Sequence, residues 1–330
     1  MTEQKRLPEE IRVPLLEIPQ RLDVFLTGTL ATQGISRTLV KRFIDNGWVM
    51  MQGRQHVTAD LRVTGAELIR LTIPVTAPLN KKPMRLEVLY EDKDLVIINK
   101  PSGLITHPRS SLPFQIPPSL AHELGAMDEP SVLTWVLQNY PKALDVPRLG
   151  IVHRLDADAS GALMLAKTTP FYHKALNMFE NRAVSKTYLA VVWGKLNDDS
   201  GVINLGITKR YTKGAVKMGI SQVGGREAIT EYAVKKIYKK VSLVELYPKT
   251  GRTHQLRLHM AALGHPICGD RVYNRVLSER GQPLVGKPID AKDRARFTRL
   301  MLHAWKLEFE RSGKTISATA PRPKEFLKKY

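Results

Sequence analysis

Five reactive or charged side chains, His153, Arg154, Asp156, Asp158 and Ser160, crowd a stretch that otherwise reads as buried strand: Gly150-Ile-Val-His-Arg-Leu-Asp-Ala-Asp-Ala-Ser-Gly-Ala-Leu-Met-Leu. Gly150 and Gly161 bracket the cluster, as suits a chain that turns sharply beside a ligand. Natural sequences break local folding rules mainly at functional sites, so chemistry based on a carboxylate beside a guanidinium or imidazole is sought here first. The plainer alternative is a strand-to-strand turn fastened by a salt bridge. These residues alone leave both open.

Other chemistries fail on spacing. Ser312-Gly-Lys-Thr imitates the end of a phosphate-binding loop, but Glu308 stands where the first glycine must be, and a hairpin turn between Leu307-Glu-Phe and Ile316-Ser-Ala is expected instead. His254 and His259 miss the four-residue spacing that stacks two zinc ligands on one helix face, and there is no cysteine cluster, so no metal site is expected. His153-Arg-Leu-Asp has one residue too many for a kinase catalytic loop and lacks the glycine-rich loop that would accompany it.

The elements that must position the cluster are strands in groups between helices. Leu86–Tyr90, Leu95–Asn99, Thr187–Trp193, Ile229–Val234 and Val241–Leu246 read as strands, and Leu133–Asn139, Pro170–Asn181 and Gln255–Leu263 as helices, the last stopped by Gly264. The order without strict alternation predicts an α+β fold with a mixed, largely antiparallel sheet and flanking helices. Ahead of it, a helix opens at Arg21-Leu-Asp. A second is N-capped by Ser36, with Leu39, Val40, Phe43 and Ile44 on its apolar face and Gly47 at its end. Arg37 and Lys41 share one side of that helix, with Arg42 adjacent, and are expected to contact phosphates. Three prolines within residues 74–85 mark a linker, dividing the chain into a module of residues 1–80 and a domain of residues 81–330. The proline-rich stretch 105–130 is expected to be a surface loop.

The net charge of +20 is unevenly placed, with +2 on residues 1–80 and +18 on the remainder. Such a surface favours a phosphate backbone as partner. No long basic amphipathic helix suggests a membrane surface, and no apolar run approaches the roughly 18 residues of a membrane span. The start lacks a signal peptide's apolar core. With one cysteine, Cys268, expected to pack and not to react, the chain is expected in a reducing cytoplasm.

Five segments in order, Asn99-Lys-Pro-Ser-Gly-Leu, His153-Arg-Leu-Asp with Ser160-Gly161, Ser185 to Gly194, Thr250-Gly-Arg-Thr-His-Gln-Leu-Arg-Leu-His, and Leu263-Gly-His-Pro-Ile-Cys-Gly-Asp, resemble the RluA-type pseudouridine synthases over about residues 86–320. Arg21-Leu-Asp, Ile35-Ser-Arg, Val40 to Gly47 and Val49 to Gly53 resemble the αL RNA-binding module. The resemblance implies isomerisation of uridine in RNA, large-subunit ribosomal RNA first and transfer RNA as the alternative, without cofactor. It implies Asp156 as the catalytic carboxylate, Arg252 as its guanidinium partner, Tyr188 as the aromatic against the target base and Arg154 as the side chain that fills the stack when the base is flipped out. Physical reasoning agrees on Asp156. Glycosidic cleavage builds positive charge on the sugar, which a carboxylate stabilises or traps. A nearby guanidinium favours the ionised carboxylate, and a planar cation can replace a flipped base. Two departures, Ala159 for the family's usual threonine and Asn274 for its usual glycine, lie outside this chemistry. A catalytically silent RNA-binding assembly factor and a base-releasing glycosylase are the rival functions.

Overall fold

The structure, a computed structural model, describes residues 8–31, 35, 37–54, 56–72, 84–107, 130–212, 215–221, 224–273 and 291–327. Ser36, Asn274, most of the linker and most of the proline-rich stretch lie outside the described residues. The chain forms two compact units, residues 1–84 with 107–149 and residues 85–106 with 150–330.

In the first unit, α1 (Leu22–Thr29) and α2 (Arg37–Asp45) pack on short strands β1 (Glu10–Arg12), β2 (Gln20–Arg21), β3 (Val49–Met51), β4 (Arg62–Val63) and β5 (Leu68–Leu71). Leu39, Val40, Phe43 and Ile44 are buried, as their helical spacing requires. Gly47 ends the stretch with a positive φ of 72°. Arg37 and Lys41 do share a side, but that side faces an internal anion. The Arg37 guanidinium donates to Asp23 at 2.9 and 3.0 Å, Arg21 donates to it at 3.0 Å, and the Lys41 ammonium lies 3.9 Å away. Asp23 is fully buried. Burial works to raise its carboxyl, but the arginine hydrogen bonds outweigh this and hold it below the usual carboxylate range. The three cations therefore form a fixed, half-exposed group carrying surplus positive charge. A further helix, α3 (Val132–Asn139), is N-capped by Ser131, whose hydroxyl accepts from the Thr134 N–H at 3.1 Å.

The second unit is built on a nine-stranded sheet. Its strands are β6 (Glu87–Glu91), β7 (Leu95–Lys100), β8 (Ser160–Ala166), β9 (Val184–Trp193), β10 (Ser200–Asn204), β13 (Ile229–Ile237), β14 (Val241–Pro248), β15 (Leu302–Arg311) and β16 (Lys314–Thr319). The order runs β10-β13-β14-β9-β15-β8-β7-β6, with β16 also on β15. Among the described residues, the β15–β8 pair is the one parallel pair of this sheet. A separate two-stranded ribbon pairs β11 (Gly206–Thr212) with β12 (Ala215–Ser221). All seven residues of β8 are buried, which explains their near-continuous apolar character. The β15–β16 turn is Ser312-Gly313, both with positive φ (51° and 73°), the conformation a two-residue hairpin demands. That resolves the false phosphate-loop motif as a turn.

Two longer helices and one short one complete the scaffold among the described residues. α4 (Thr169–Glu180) starts with Pro170 in its first turn and buries Phe171, Tyr172, Ala175 and Met178. α5 (Gln255–Ala262) is buried from Gln255 to Ala261, polar residues included, so each of those must find a partner inside. His259 does so with the Thr230 hydroxyl at 2.9 Å and the Leu205 carbonyl at 3.0 Å, which accounts for it without a metal. The short α6 (Ala291–Arg294) precedes β15. Among the described residues, no helix is long and apolar enough to cross a membrane.

Candidate active site

The charged cluster is positioned by backbones in contact. The Gly150 Cα lies against β8, where a Cβ would stand 1.9 Å from the Ala166 carbonyl oxygen. At Gly161 a Cβ would stand 2.1 Å from the Ala304 oxygen of β15. Side chains are excluded at both ends, and the segment between carries Asp156.

The Asn99-Lys-Pro-Ser-Gly-Leu segment holds that loop by its carbonyls. The Lys100 ammonium donates to Ala157 O at 3.0 Å, and to Pro101 O and Leu104 O at 3.0 and 2.7 Å. Ser102 Oγ donates to Asp158 O at 2.6 Å, Gly103 N–H to Ala157 O at 2.9 Å and Thr106 Oγ1 to Leu155 O at 3.0 Å. Burial draws the Lys100 amine down to about 7, against the pull of Asp156 and Asp158 in the other direction. Three carbonyl acceptors match the three donors of an ammonium.

Two members of the cluster turn inward. His153 Nε2 accepts the Met164 N–H at 2.9 Å while its ring lies 4.5 Å from that of Phe179. Ser160 Oγ receives Arg299 Nη2 at 2.6 Å and lies 2.9 Å from His303 Nδ1, with His303 fully buried. Burial pushes His153 down to about 3 and His303 to about 4. Both therefore fold neutral, below an unfolded value of 6.5. Their contribution to stability is complete above pH 6.5 and is lost as pH falls towards 4. At pH 5 each histidine has given up about 2 kcal/mol, because the unfolded chain gains a proton that the folded one refuses, at ~1.4 kcal/mol for each pH step below 6.5. Urea unfolding between pH 7 and 5 is expected to show this decline, and a His153→Gln variant, which keeps an acceptor without a titrating proton, should decline less steeply. Equal slopes would contradict the assignment of His153 as an inward-facing neutral acceptor.

Arg154, Asp156, Tyr188 and Arg252 all line one cleft, with Lys186, His254 and Arg257. The four residues expected from the sequence are thus brought together. Tyr188 comes from β9, opposite Leu246 of β14 and Ala304 of β15, beside the bulge between Ala304 and Lys306. Burial, reinforced by the Asp156 carboxylate, raises its phenol well above the ordinary range, so it enters the cleft protonated. Arg154 is exposed at the rim. Burial, with Arg182 nearby, lowers the Lys186 amine.

The expected pairing of Arg252 with Asp156 is corrected by the structure. The guanidinium against Asp156 belongs to Arg257, whose Nη1 donates to Oδ2 at 3.1 Å. Arg252 instead directs Nε to the Glu227 carbonyl at 3.0 Å. The reason lies in the turn between them. Gln255 Oε1 accepts from the Arg252 N–H at 3.0 Å and the Thr250 hydroxyl at 2.8 Å, while its amide donates to Ile229 O and Thr230 Oγ1, both at 3.0 Å. His254 takes a left-handed conformation with φ 57° as α5 begins. The first turn of the buried helix, and not the turn of residues 250–253 ahead of it, therefore carries the arginine that reaches the carboxylate. On the other side of Asp156, His254 Nε2 lies 3.8 Å from Oδ1 and Nδ1 lies 2.7 Å from the Tyr273 hydroxyl. Burial lowers His254 despite the neighbouring Asp156. Sequence reasoning misses Arg257 because one motif offers two arginines. The start of the helix at Gln255 is the signal that could have separated them.

Cys268 is buried and burial raises its thiol, in keeping with a packing role. Among the described residues no group of His, Cys, Asp and Glu could hold a metal ion.

The cleft thus sets a carboxylate, guanidinium groups and a protonated phenol together on a mixed sheet. The family model described as RNA pseudouridylate synthase matches residues 94–262, a span that contains every cleft residue named above. The chain is 32% identical over 310 residues to the Uncharacterized RNA pseudouridine synthase YlyB of Bacillus subtilis, covering 93% of this chain and 91% of that one. It is 33% identical over 320 residues to Ribosomal large subunit pseudouridine synthase D of Neisseria meningitidis serogroup A, covering 95% and 78%. Among solved structures, Human RNA Pseudouridylate Synthase Domain Containing 1 superposes with a TM-score of 0.53 at 27% identity, over 74% of this chain and 86% of that one. The chain belongs to the RNA pseudouridylate synthase family and is an RNA pseudouridine synthase, an isomerase.

Proposed function

We propose that this enzyme converts uridines of large-subunit ribosomal RNA to pseudouridine in the cytoplasm, without metal or organic cofactor. The observation that carries the proposal is the placement of Asp156. One oxygen is held by Arg257 and the carboxylate opens on a cleft shared with Tyr188. In this reading Asp156 stabilises or traps the charge that develops when the glycosidic bond breaks. Tyr188 lies against the uracil as a protonated phenol, and Arg154 at the rim fills the space left by the flipped nucleotide. Arg252, turned away from the carboxylate, is suited to a phosphate. Residues 1–80 form an RNA-capturing module ahead of a catalytic domain of residues 81–330, with the Arg21–Arg37–Lys41 group as its fixed cationic face. The ribosomal assignment is supported by relatives named ribosomal large subunit pseudouridine synthase D and by the excess of positive charge.

Pseudouridine mapping of total RNA from cells with and without the gene tests this, together with purified enzyme on protein-free ribosomal RNA. Loss of defined sites in large-subunit RNA, restored by the purified protein after exhaustive chelation, is the expected result. Lost sites confined to transfer RNA would overturn the substrate, free uracil among the products would indicate a glycosylase, and no lost site in any RNA would favour a silent assembly factor.

A further inference from the structure

The Gly-His-Pro-Ile-Cys-Gly-Asp segment contributes no side chain to the cleft, yet it ends in a buried carboxylate aimed at the cleft's arginine. Asp270 is buried, at 6% of its surface exposed, and accepts from Arg257 at both oxygens: Nε to Oδ2 at 2.7 Å and Nη2 to Oδ1 at 2.8 Å. This two-bond fork occupies one edge of the guanidinium and leaves Nη1 for Asp156 at 3.1 Å. Because a guanidinium is planar and rigid, fixing one edge fixes the direction of the remaining N–H groups. The Tyr273 ring lies 5.0 Å from the guanidinium carbon and restricts it further.

Asp270 is itself held independently of the arginine. Its Oδ1 accepts the N–H groups of Val272 and Tyr273 at 2.8 and 2.9 Å. Gly269 has a φ of 75°, and a Cβ there would meet the Arg299 carbonyl oxygen at 1.8 Å, so the turn is pressed against the neighbouring backbone. Cys268 ties the turn to the sheet, its N–H donating to Val191 O at 2.8 Å and its carbonyl accepting from Met301 N–H at 2.9 Å. The anion is thus fixed to the scaffold and the arginine is fixed to the anion. We infer that Asp270 is a positioning residue for isomerisation, acting through Arg257 to set the orientation of Asp156 towards the substrate.

This rests on the reading of Asp156 as the catalytic carboxylate. In Asp270→Asn, the side-chain oxygen can keep the two backbone N–H groups of the turn, but its amide now presents a donor to the Arg257 donors. The expected result is kcat lowered ~10²-fold, the scale of a misplaced reacting group, with RNA affinity within about threefold of wild type. In an Arg257→Lys background, Asp270→Asn should add less than about threefold, because both changes break one relay and such effects are not additive. A nitrogen-15 NMR spectrum supplies a readout independent of turnover: the Arg257 Nε–H signal, protected in wild type, should lose its protection in Asp270→Asn. Should Asp270→Asn not fold, Asp270→Ser is measured in the same way. A folded variant with wild-type kcat, multiplicative losses in the double variant, or an Arg257 signal that stays protected would overturn the inference. Wild-type protein inactive on every RNA would overturn the functional reading instead, while the NMR result would still decide whether Asp270 orients Arg257.

Discussion

Replacing Asp156 with asparagine leaves a folded protein that binds RNA and has lost at least ~10³-fold in pseudouridine formation, the scale expected when a group at the reacting centre is removed outright. The amide preserves size, so the loop held by Lys100, Ser102 and Thr106 through backbone carbonyls is undisturbed. What disappears is negative charge facing the cleft, together with the ability to form or break a bond to carbon. The Asp156 side chain is partly exposed and the asparagine oxygen can still accept from Arg257 Nη1, so urea unfolding should stay within about 1 kcal/mol of wild type, the worth of an ordinary hydrogen bond. Single-turnover assays with matched RNA affinities measure the effect. Turnover above a hundredth of wild type in the variant would remove Asp156 from the chemistry.

The second large effect separates the two arginines of one motif. Arg257→Met is expected to abolish detectable turnover and to cost about 3–5 kcal/mol of stability, the range for removing one partner of a buried ion pair. The cost arises because Asp270, whose side chain is 1% exposed, would be left without the cation that offsets its burial. Arg257→Lys restores a charge but not the fork, since a point-like ammonium cannot hold Asp270 at two atoms and still reach Asp156. Its stability should recover in part while turnover stays low. Arg252→Met, by contrast, removes one hydrogen bond to a carbonyl at the cleft's edge. It should leave stability within about 1 kcal/mol, the worth of an ordinary hydrogen bond, with its effect appearing in RNA affinity before kcat. Unfolding curves and paired kcat and KM measurements on the three variants decide the matter, and the reverse order of severity would restore Arg252 as the carboxylate's partner.

The cluster around Asp156 is legible from its violation of strand patterning, and Gly150 and Gly161 from the need for tight backbone approach. Helical spacing in Leu39–Ile44 and the Ser312-Gly313 hairpin can be read because both are short-range consequences of side-chain period and backbone freedom. The β10, β11 and β12 strands are not legible in the sequence. Their residues mix polar, glycine or charged positions with apolar ones, so the local pattern does not distinguish them from loop, and pairing between segments forms them. Likewise Arg37 and Lys41 can be placed on one side of a helix, but Asp23 beneath them is a tertiary neighbour 14 and 18 positions away.

Residue type and nearby spacing by themselves determined an α+β fold, a basic surface suited to RNA and a charged cluster around Asp156, and the family resemblance of the ordered motifs joined Tyr188 and Arg154 to that cluster. Only the tertiary structure decided which arginine holds the carboxylate, that His153 and Ser160 face inward, and that Asp270 stands behind Arg257. Each is a contact that local spacing does not encode: Arg257 and Asp156 are 101 positions apart, and Ser160 and His303 are 143. Partners at such separations are selected by burial and by the demand that every buried polar group be satisfied, and that demand has no local period to read.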